Sequence, residues 1–213
     1  MITWNAGVRG STIDALFAGT SRLSNCNSSL DQGRYTWRHN SVLQCIVDTV
    51  RDNLTEGFSL FSDLAGFLAP HGGVNPPHIL VTNLKPDLFI VNEFTKEVIL
   101  FELTCPWDSN INRSHEYKQE RYAALVGDLS RHFRVKYYPV EISVRGQVSK
   151  NNGARLKSFV YDCCGSSRKV AKELIRNCSK ISLLCYYSIF VARKEPFWNA
   201  PNSIVFRWLV HYS

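Results

Sequence analysis

The sequence predicts an α/β domain, a mixed β-sheet flanked by helices with a helical extension at its C-terminal end. Three observations predict it. Apolar residues recur at helical spacing from Leu43 to Leu54, and short β-branched and aromatic runs follow between His78 and Thr104. Helical periodicity returns after Ile111, interrupted by one more strand-like run from Val135 to Val144. The 213 residues are 45% apolar and 12% aromatic, enough for a real core and incompatible with global disorder.

Met1 to Gly33 is rich in Ser, Asn and Gly, shows no sustained period and reads as a loosely held leader. Ser41 with Gln44 three residues later has the capping-box pattern, which starts the first helix there and leaves Arg38 and His39 ahead of it. Leu43, Ile46, Val47, Val50 and Leu54 form its apolar face, and it stops before Gly57. The stretch from Gly66 to Pro77 has loop composition. Strands are expected at His78–Thr82, Asp87–Asn92 and Glu97–Thr104, the last two joined by Glu93–Lys96 as a hairpin turn.

A helix follows from Ile111 to Phe133 despite Gly127, which costs about 1 kcal/mol relative to Ala. Val135–Val144 is the next strand, ended by Gly146. Helices are expected over Ala154–Cys163 and Arg168–Ala192, then a Pro-punctuated tail with a last strand at Ile204–Leu209. The organisation is a leader over 1–33, a core over 34–150, and a helical extension and tail over 151–213.

The balance of 25 basic and 18 acidic residues, net +7, favours a polyanionic partner, although modest positive charge also serves solubility. The longest nearly unbroken apolar run, Ile181–Ala192, is about half the roughly 20 residues a membrane-spanning helix needs. Met1–Thr20 lacks the pattern of a signal peptide, so a soluble intracellular protein is expected. Seven cysteines without a CxxC pair read as reduced, buried thiols; Cys163-Cys164 with Cys178 and Cys185 fits no standard metal spacing.

Chemistry concentrates in Lys85-Pro86-Asp87 and Phe101-Glu102-Leu103-Thr104, where two carboxylates interrupt apolar strands. Alternation puts Val98, Leu100, Glu102 and Thr104 on one face and Ile99, Phe101 and Leu103 on the other. A lone buried carboxylate protonates or finds a partner. Two acids from adjacent strands can instead share Mg²⁺ or Mn²⁺ with water and a phosphate oxygen. On the next helix Lys118 precedes the Tyr122, Leu125, Leu129 stripe by one turn, so its ammonium can reach toward Glu102; Arg121 flanks the stripe. This set suits metal-assisted phosphodiester hydrolysis. Competing readings are Asp87 as a turn cap and Glu102 as a structural ion-pair partner of Lys118 or Arg121.

Pro86-Asp87, fourteen intervening residues, then Glu102-x-Thr104 resembles the PD-(D/E)XK restriction-like endonuclease motif in its variant with the lysine moved to the following helix. More specifically, the chain resembles the C-terminal endonuclease domain of early-branching, site-specific non-LTR retrotransposon polyproteins. The matching segments are Gln32–Asn40, Lys85–Leu88, Phe101–Trp107, His115–Tyr122 and Pro139–Gly146. The resemblance implies a restriction-endonuclease-like core and an Mg²⁺- or Mn²⁺-dependent endonuclease that nicks double-stranded DNA so that the 3′-hydroxyl primes reverse transcription. It implies element RNA and the reverse transcriptase portion of the polyprotein as partners, and a nuclear setting.

It also implies Asp87 and Glu102 as metal ligands, Lys118 as the relocated lysine and Arg121 as the basic residue one turn later. Thr104 stands where the usual lysine would be. The family's cysteine-histidine knuckle is represented by Cys26 alone, so no zinc is expected within this chain, and no Asp-Asp polymerase pair occurs. The chain thus reads as a detached endonuclease end or a truncated copy. The alternative is a catalytically decayed or repurposed nucleic-acid-binding fragment.

Further candidates are weaker in chemistry. The resemblance puts Arg38 and His39 near DNA; the other reading is that Trp37 packs and the polar pair simply faces water. Arg168, Lys172, Arg176 and Lys180 recur every four residues as a basic ridge that either binds phosphates or simply faces water. Glu141 and Arg145, both in a matching segment, are expected to form a structural ion pair.

Overall fold

The computed structural model describes residues 32–64, 75–79, 82–165, 168–195 and 197–200. Its elements in chain order are α1 (Arg34–Asn53), β1 (Ser59–Ser62), β2 (Leu88–Asn92), β3 (Glu97–Thr104), α2 (Ile111–Leu129), β4 (Arg134–Glu141), α3 (Lys150–Cys164) and α4 (Arg168–Val191). The four strands form one mixed sheet in the order β1-β2-β3-β4. The first two pairings are antiparallel and β3–β4 is parallel, with α2 as the crossover that a parallel pair requires. The architecture is the mixed α/β class that the sequence predicts.

Alternation along β3 decides which helices cover which face. Val98 and Leu100 pack with Phe89, Val91 and the α2 residues Tyr122, Leu125 and Leu129. Ile99, Phe101 and Leu103 face the other way, into a larger core built with Val42, Leu43, Ile46 and Val47 of α1, Leu156, Phe159 and Val160 of α3, and Leu174, Cys178 and Cys185 of α4. The Phe101 and Phe159 ring centroids lie 4.4 Å apart across this face. With both faces covered, β2 and β3 are buried nearly throughout, which is why their sequences read as unbroken apolar runs. Among the described residues no helix is long and apolar enough to cross a membrane.

The hairpin turn at Glu93–Lys96 and the bounds of β3 agree with the sequence reading. Helix α1 does not. It begins at Arg34, after Gly33 in the left-handed conformation, so Ser41 and Gln44 lie inside it. Ser41 Oγ donates back to the Trp37 carbonyl (2.7 Å) and Gln44 bonds Asp48, so the capping-box pattern is spent on ordinary mid-helix contacts. Buried Arg34 instead anchors the start of α1, donating to Gln32 (2.9 Å) and to the Ala192 carbonyl beyond α4 (2.8 Å).

The other differences are local. Strand β1 carries too few residues to show a period and exists because Phe61 pairs opposite Phe89 in β2. His78 and Ile79 lie in a turn rather than a strand, and residues 80 and 81 lie outside the described set. Helix α2 ends at Leu129 rather than Phe133, because Arg134 must enter β4 opposite Glu97. Strand β4 ends at Glu141, before Val144, whose N–H turns to the Pro106 carbonyl (2.9 Å). The leader with Cys26 (apart from residues 32 and 33) and the strand expected at Ile204–Leu209 also lie outside the described residues.

Candidate active site

The register places the two acids side by side. Leu88 pairs with Phe101, so one step further Asp87 falls opposite Glu102. Both side chains then point to the α2 face, by the same alternation that sends Phe89 and Leu100 there. Asp87 is 8% exposed and Glu102 4%. Each strand's backbone tethers the carboxylate carried by the other strand. The Asp87 N–H donates to Glu102 Oε2 (3.2 Å), and the Leu103 N–H donates to Asp87 Oδ2 (2.6 Å).

Lys118 completes the constellation from α2. Its ammonium pairs directly with Glu102 Oε1. The helix position is set from both sides: the buried Tyr122 hydroxyl donates to the Lys85 carbonyl (3.0 Å), and the Tyr137 hydroxyl of β4 donates to the Lys118 carbonyl (3.1 Å). Burial and then the neighbouring Asp87 charge raise the Glu102 carboxyl above its ordinary range, with Lys118 pulling the other way. The Tyr122 phenol is pushed up by its burial and by Glu102.

His39 enters the same site from the opposite helix layer. Its Nε2 lies 3.3 Å from Asp87 Oδ2 and 3.3 Å from the Leu103 carbonyl, and Nδ1 lies 3.1 Å from Asn40 Oδ1. Burial disfavours the charged ring, but the hydrogen bond and charge of Asp87 outweigh it and raise the imidazole to about 9. The early start of α1 is what makes this contact: His39 sits on the second turn of a helix packed at the ends of the strands. No sequence signal beyond adjacency to Arg38 marks it as a neighbour of Asp87.

Arg38 corrects an expectation. It is 7% exposed and donates to the Cys105 carbonyl (3.1 Å), with its guanidinium 5.3 Å from the Tyr35 ring, so it belongs to the interior and not to a DNA-facing surface. Burial lowers its pKa. Arg121 is exposed, with its guanidinium 5.8 Å from the Tyr122 ring, and it makes no bond to Asp87, Glu102 or Lys118.

The basic ridge is elsewhere. Lys172 and Arg176 are exposed on α4 and Lys180 is half-buried. Lys172 lines a cleft with Arg168, Lys157, Tyr138 and Asp162, and Arg176 lies 3.5 Å from Glu173. Asp162 binds Lys136 near the start of β4 (2.8 Å), whereas Glu102 lies opposite Pro139 further along. The ridge therefore belongs to the face covered by α3 and α4, away from the carboxylates.

Glu141 and Arg145 do not pair with each other. Glu141 takes His115 Nδ1 at 3.0 Å and Arg145 Nε donates to Asp108 Oδ2 (2.6 Å), because the chain turns at Gly146 and carries Arg145 back over the short turn Asp108–Asn110. Thr104 Oγ1 is buried with no hydrogen-bond partner among the described residues.

The donor chemistry of the acidic pair fits a hard divalent cation. Asp87 and Glu102 would hold it. No described residue donates a hydrogen bond to Asp87 Oδ1, which leaves that oxygen available. Among the described residues no cluster of three or more His, Cys, Asp or Glu side chains is arranged to hold a metal ion. No protein-family model matches the chain, and no curated protein matches it.

Proposed function

We propose that the chain is a metal-dependent DNA endonuclease of the restriction-like type carried by non-LTR retrotransposons, nicking double-stranded target DNA to prime reverse transcription. One observation carries the reading: Asp87 and Glu102, separated by fourteen intervening residues, lie side by side on one sheet face, and Lys118 reaches Glu102 from the next helix. The net charge of +7 is consistent with a polyanionic substrate.

In this reading Asp87 and Glu102 hold Mg²⁺ or Mn²⁺, which when bound supplies Lewis-acid polarisation of the phosphate and acidifies water. The chain's own residues do the rest. The paired backbone N–H groups fix both carboxylates, Tyr122 and Tyr137 fix α2, and Lys118 brings the positive charge that balances Glu102 and the charge developing on phosphate. Lys118 fills from a helix the role that Thr104 cannot fill from the strand. Element RNA and the reverse transcriptase portion of a polyprotein are the partners this function requires, in the nucleus.

A second reading is favoured by one feature. Asp87 is already paired with His39 and Glu102 with Lys118, which a purely structural charge network would also show in a nucleic-acid-binding fragment without catalysis. The purified chain incubated with supercoiled DNA and Mg²⁺ separates the two. The nuclease reading expects nicks bearing 3′-hydroxyls and a loss of roughly 100-fold or more in Asp87→Ala, Glu102→Ala and Lys118→Ala. Equal behaviour of all four proteins defeats it. Salt-sensitive binding that EDTA leaves unchanged, without cleavage, selects the second reading.

A further inference from the structure

A second polar pair stands beside the first and has no part in the mechanism above. Glu141, the last residue of β4, is 1% exposed and lies in register with Thr104 on the face shared by Glu102. His115 lies one turn before Lys118 on α2. Its Nδ1 is 3.0 Å from Glu141 Oε1, and the imidazole is 16% exposed, close to the 18% of Lys118. The seam between α2 and the sheet thus carries two parallel contacts, Lys118 with Glu102 and His115 with Glu141.

The surroundings of Glu141 orient the ring. Arg155 of α3, positioned by Asn152 Oδ1 (3.1 Å), stands 3.7 Å from Glu141 Oε2 and 3.4 Å from His115 Nδ1. Glu141 Oε2 is buried and makes no hydrogen bond among the described residues, so the carboxylate's short contact goes to the imidazole and not to the guanidinium. With Nδ1–H donating to Glu141, proton exchange is left to Nε2, which has no hydrogen-bond partner among the described residues.

Spacing makes this pair relevant to the phosphodiester. Glu141 is one strand over and two residues further along than Glu102. Strand spacing and rise put their backbones about 8 Å apart. His115 and Lys118 stand one turn apart on the same helix, so the ring borders the acidic pair along the same seam.

We propose that His115, oriented by Glu141, is the general acid that protonates the departing 3′-oxygen, an inference that rests on the nuclease reading. Water oxygen bonds to phosphorus and releases a proton to solvent. The P–O3′ bond breaks with its electron pair on O3′, which takes the proton from Nε2, and solvent reprotonates the ring. The products are a 5′-phosphate and a 3′-hydroxyl. His115 is the catalytic residue of the pair and Glu141 a positioning residue.

The test uses the full chain with Mn²⁺ and two duplexes that differ at the mapped cleavage position, one with the natural 3′-oxygen and one with a 3′-bridging sulfur. A thiolate departs without a proton. His115→Asn is expected to cleave natural DNA about 100-fold more slowly than wild type, within the usual range for general acid catalysis, and the sulfur substrate within about threefold of wild type. Glu141→Gln is expected to show a smaller loss, about tenfold, with the same rescue by sulfur. The ratio of the two rates is read within each preparation, so a partly folded variant does not distort it. If His115→Asn slows both substrates equally, or neither, the proposal is overturned while the nuclease reading stands. If wild type cleaves neither duplex, the nuclease reading itself fails and takes this proposal with it.

Discussion

Replacing Lys118 by Met keeps most of the side-chain stem and removes the charge that faces Glu102. The result follows from burial. Glu102 is 4% exposed and its strand neighbour Asp87 8%, so the variant leaves two adjacent carboxylates with less compensation in a poorly solvated site. Removing one member of a buried ion pair costs about 3–5 kcal/mol. The lower end applies here, because the Lys118 side chain is 18% exposed and the Asp87 N–H still donates to Glu102. A loss of about 3 kcal/mol in a domain of this size lowers the midpoint by roughly 6–12 °C. Thermal unfolding followed by circular dichroism in EDTA at neutral pH reads the shift without a cation masking it. The double variant Lys118→Met, Glu102→Gln removes both charges and is expected to recover most of the loss. A single variant melting within 2 °C of wild type, or a double variant no better than the single, would refute the claim that the pair is buried and mutually dependent.

Two other perturbations follow from the same packing. Gly146 has φ +77°, and a Cβ there would lie 2.3 Å from the Ser179 backbone carbonyl oxygen; Gly146→Ala is expected to cost at least about 1–2 kcal/mol, whereas Gly127→Ala, with open space at its Cβ, should stabilise by up to about 1 kcal/mol. Equal melting temperatures for the two variants would remove the case for a close approach of the 146 turn to α4. Cys185 is fully buried, and burial raises its thiol to about 12, so at pH 8 only about one thiol in ten thousand is ionised. Its peptide should stay unmodified by iodoacetamide in the native protein and react once urea unfolds the chain; rapid native labelling, read by mass spectrometry, would contradict the packing of α4 on α1.

Much of the candidate site is legible in the sequence. Asp87 and Glu102 stood out because charge inside β-branched runs needs a reason, and alternation assigned Glu102 to its face correctly. Lys118 was legible because helical periodicity fixed which residue precedes the apolar stripe by one turn. Arg38 was misread because its charge suggested solvent, whereas α1 starts at Arg34 and turns position 38 inward. His39 was read as a DNA contact; its contact with Asp87 depends on how α1 crosses the strand ends, an angle no local pattern encodes. His115 with Glu141 was hidden for the same reason, since the pairing joins a helix to the far end of a parallel strand.

The order of amino acids by itself determined the α/β class, the β2–β3 hairpin, the faces of β3 and the presence of an acidic pair with a lysine one helix away. These are consequences of periods of two and 3.6 residues and of turn chemistry, all short-range along the chain. Only the tertiary structure decided that β1 exists, that Arg38 is interior, that His39 meets Asp87 and that Glu141 holds His115. Each of those depends on contacts between residues distant in sequence, whose geometry is set by how the helices and strands pack on one another.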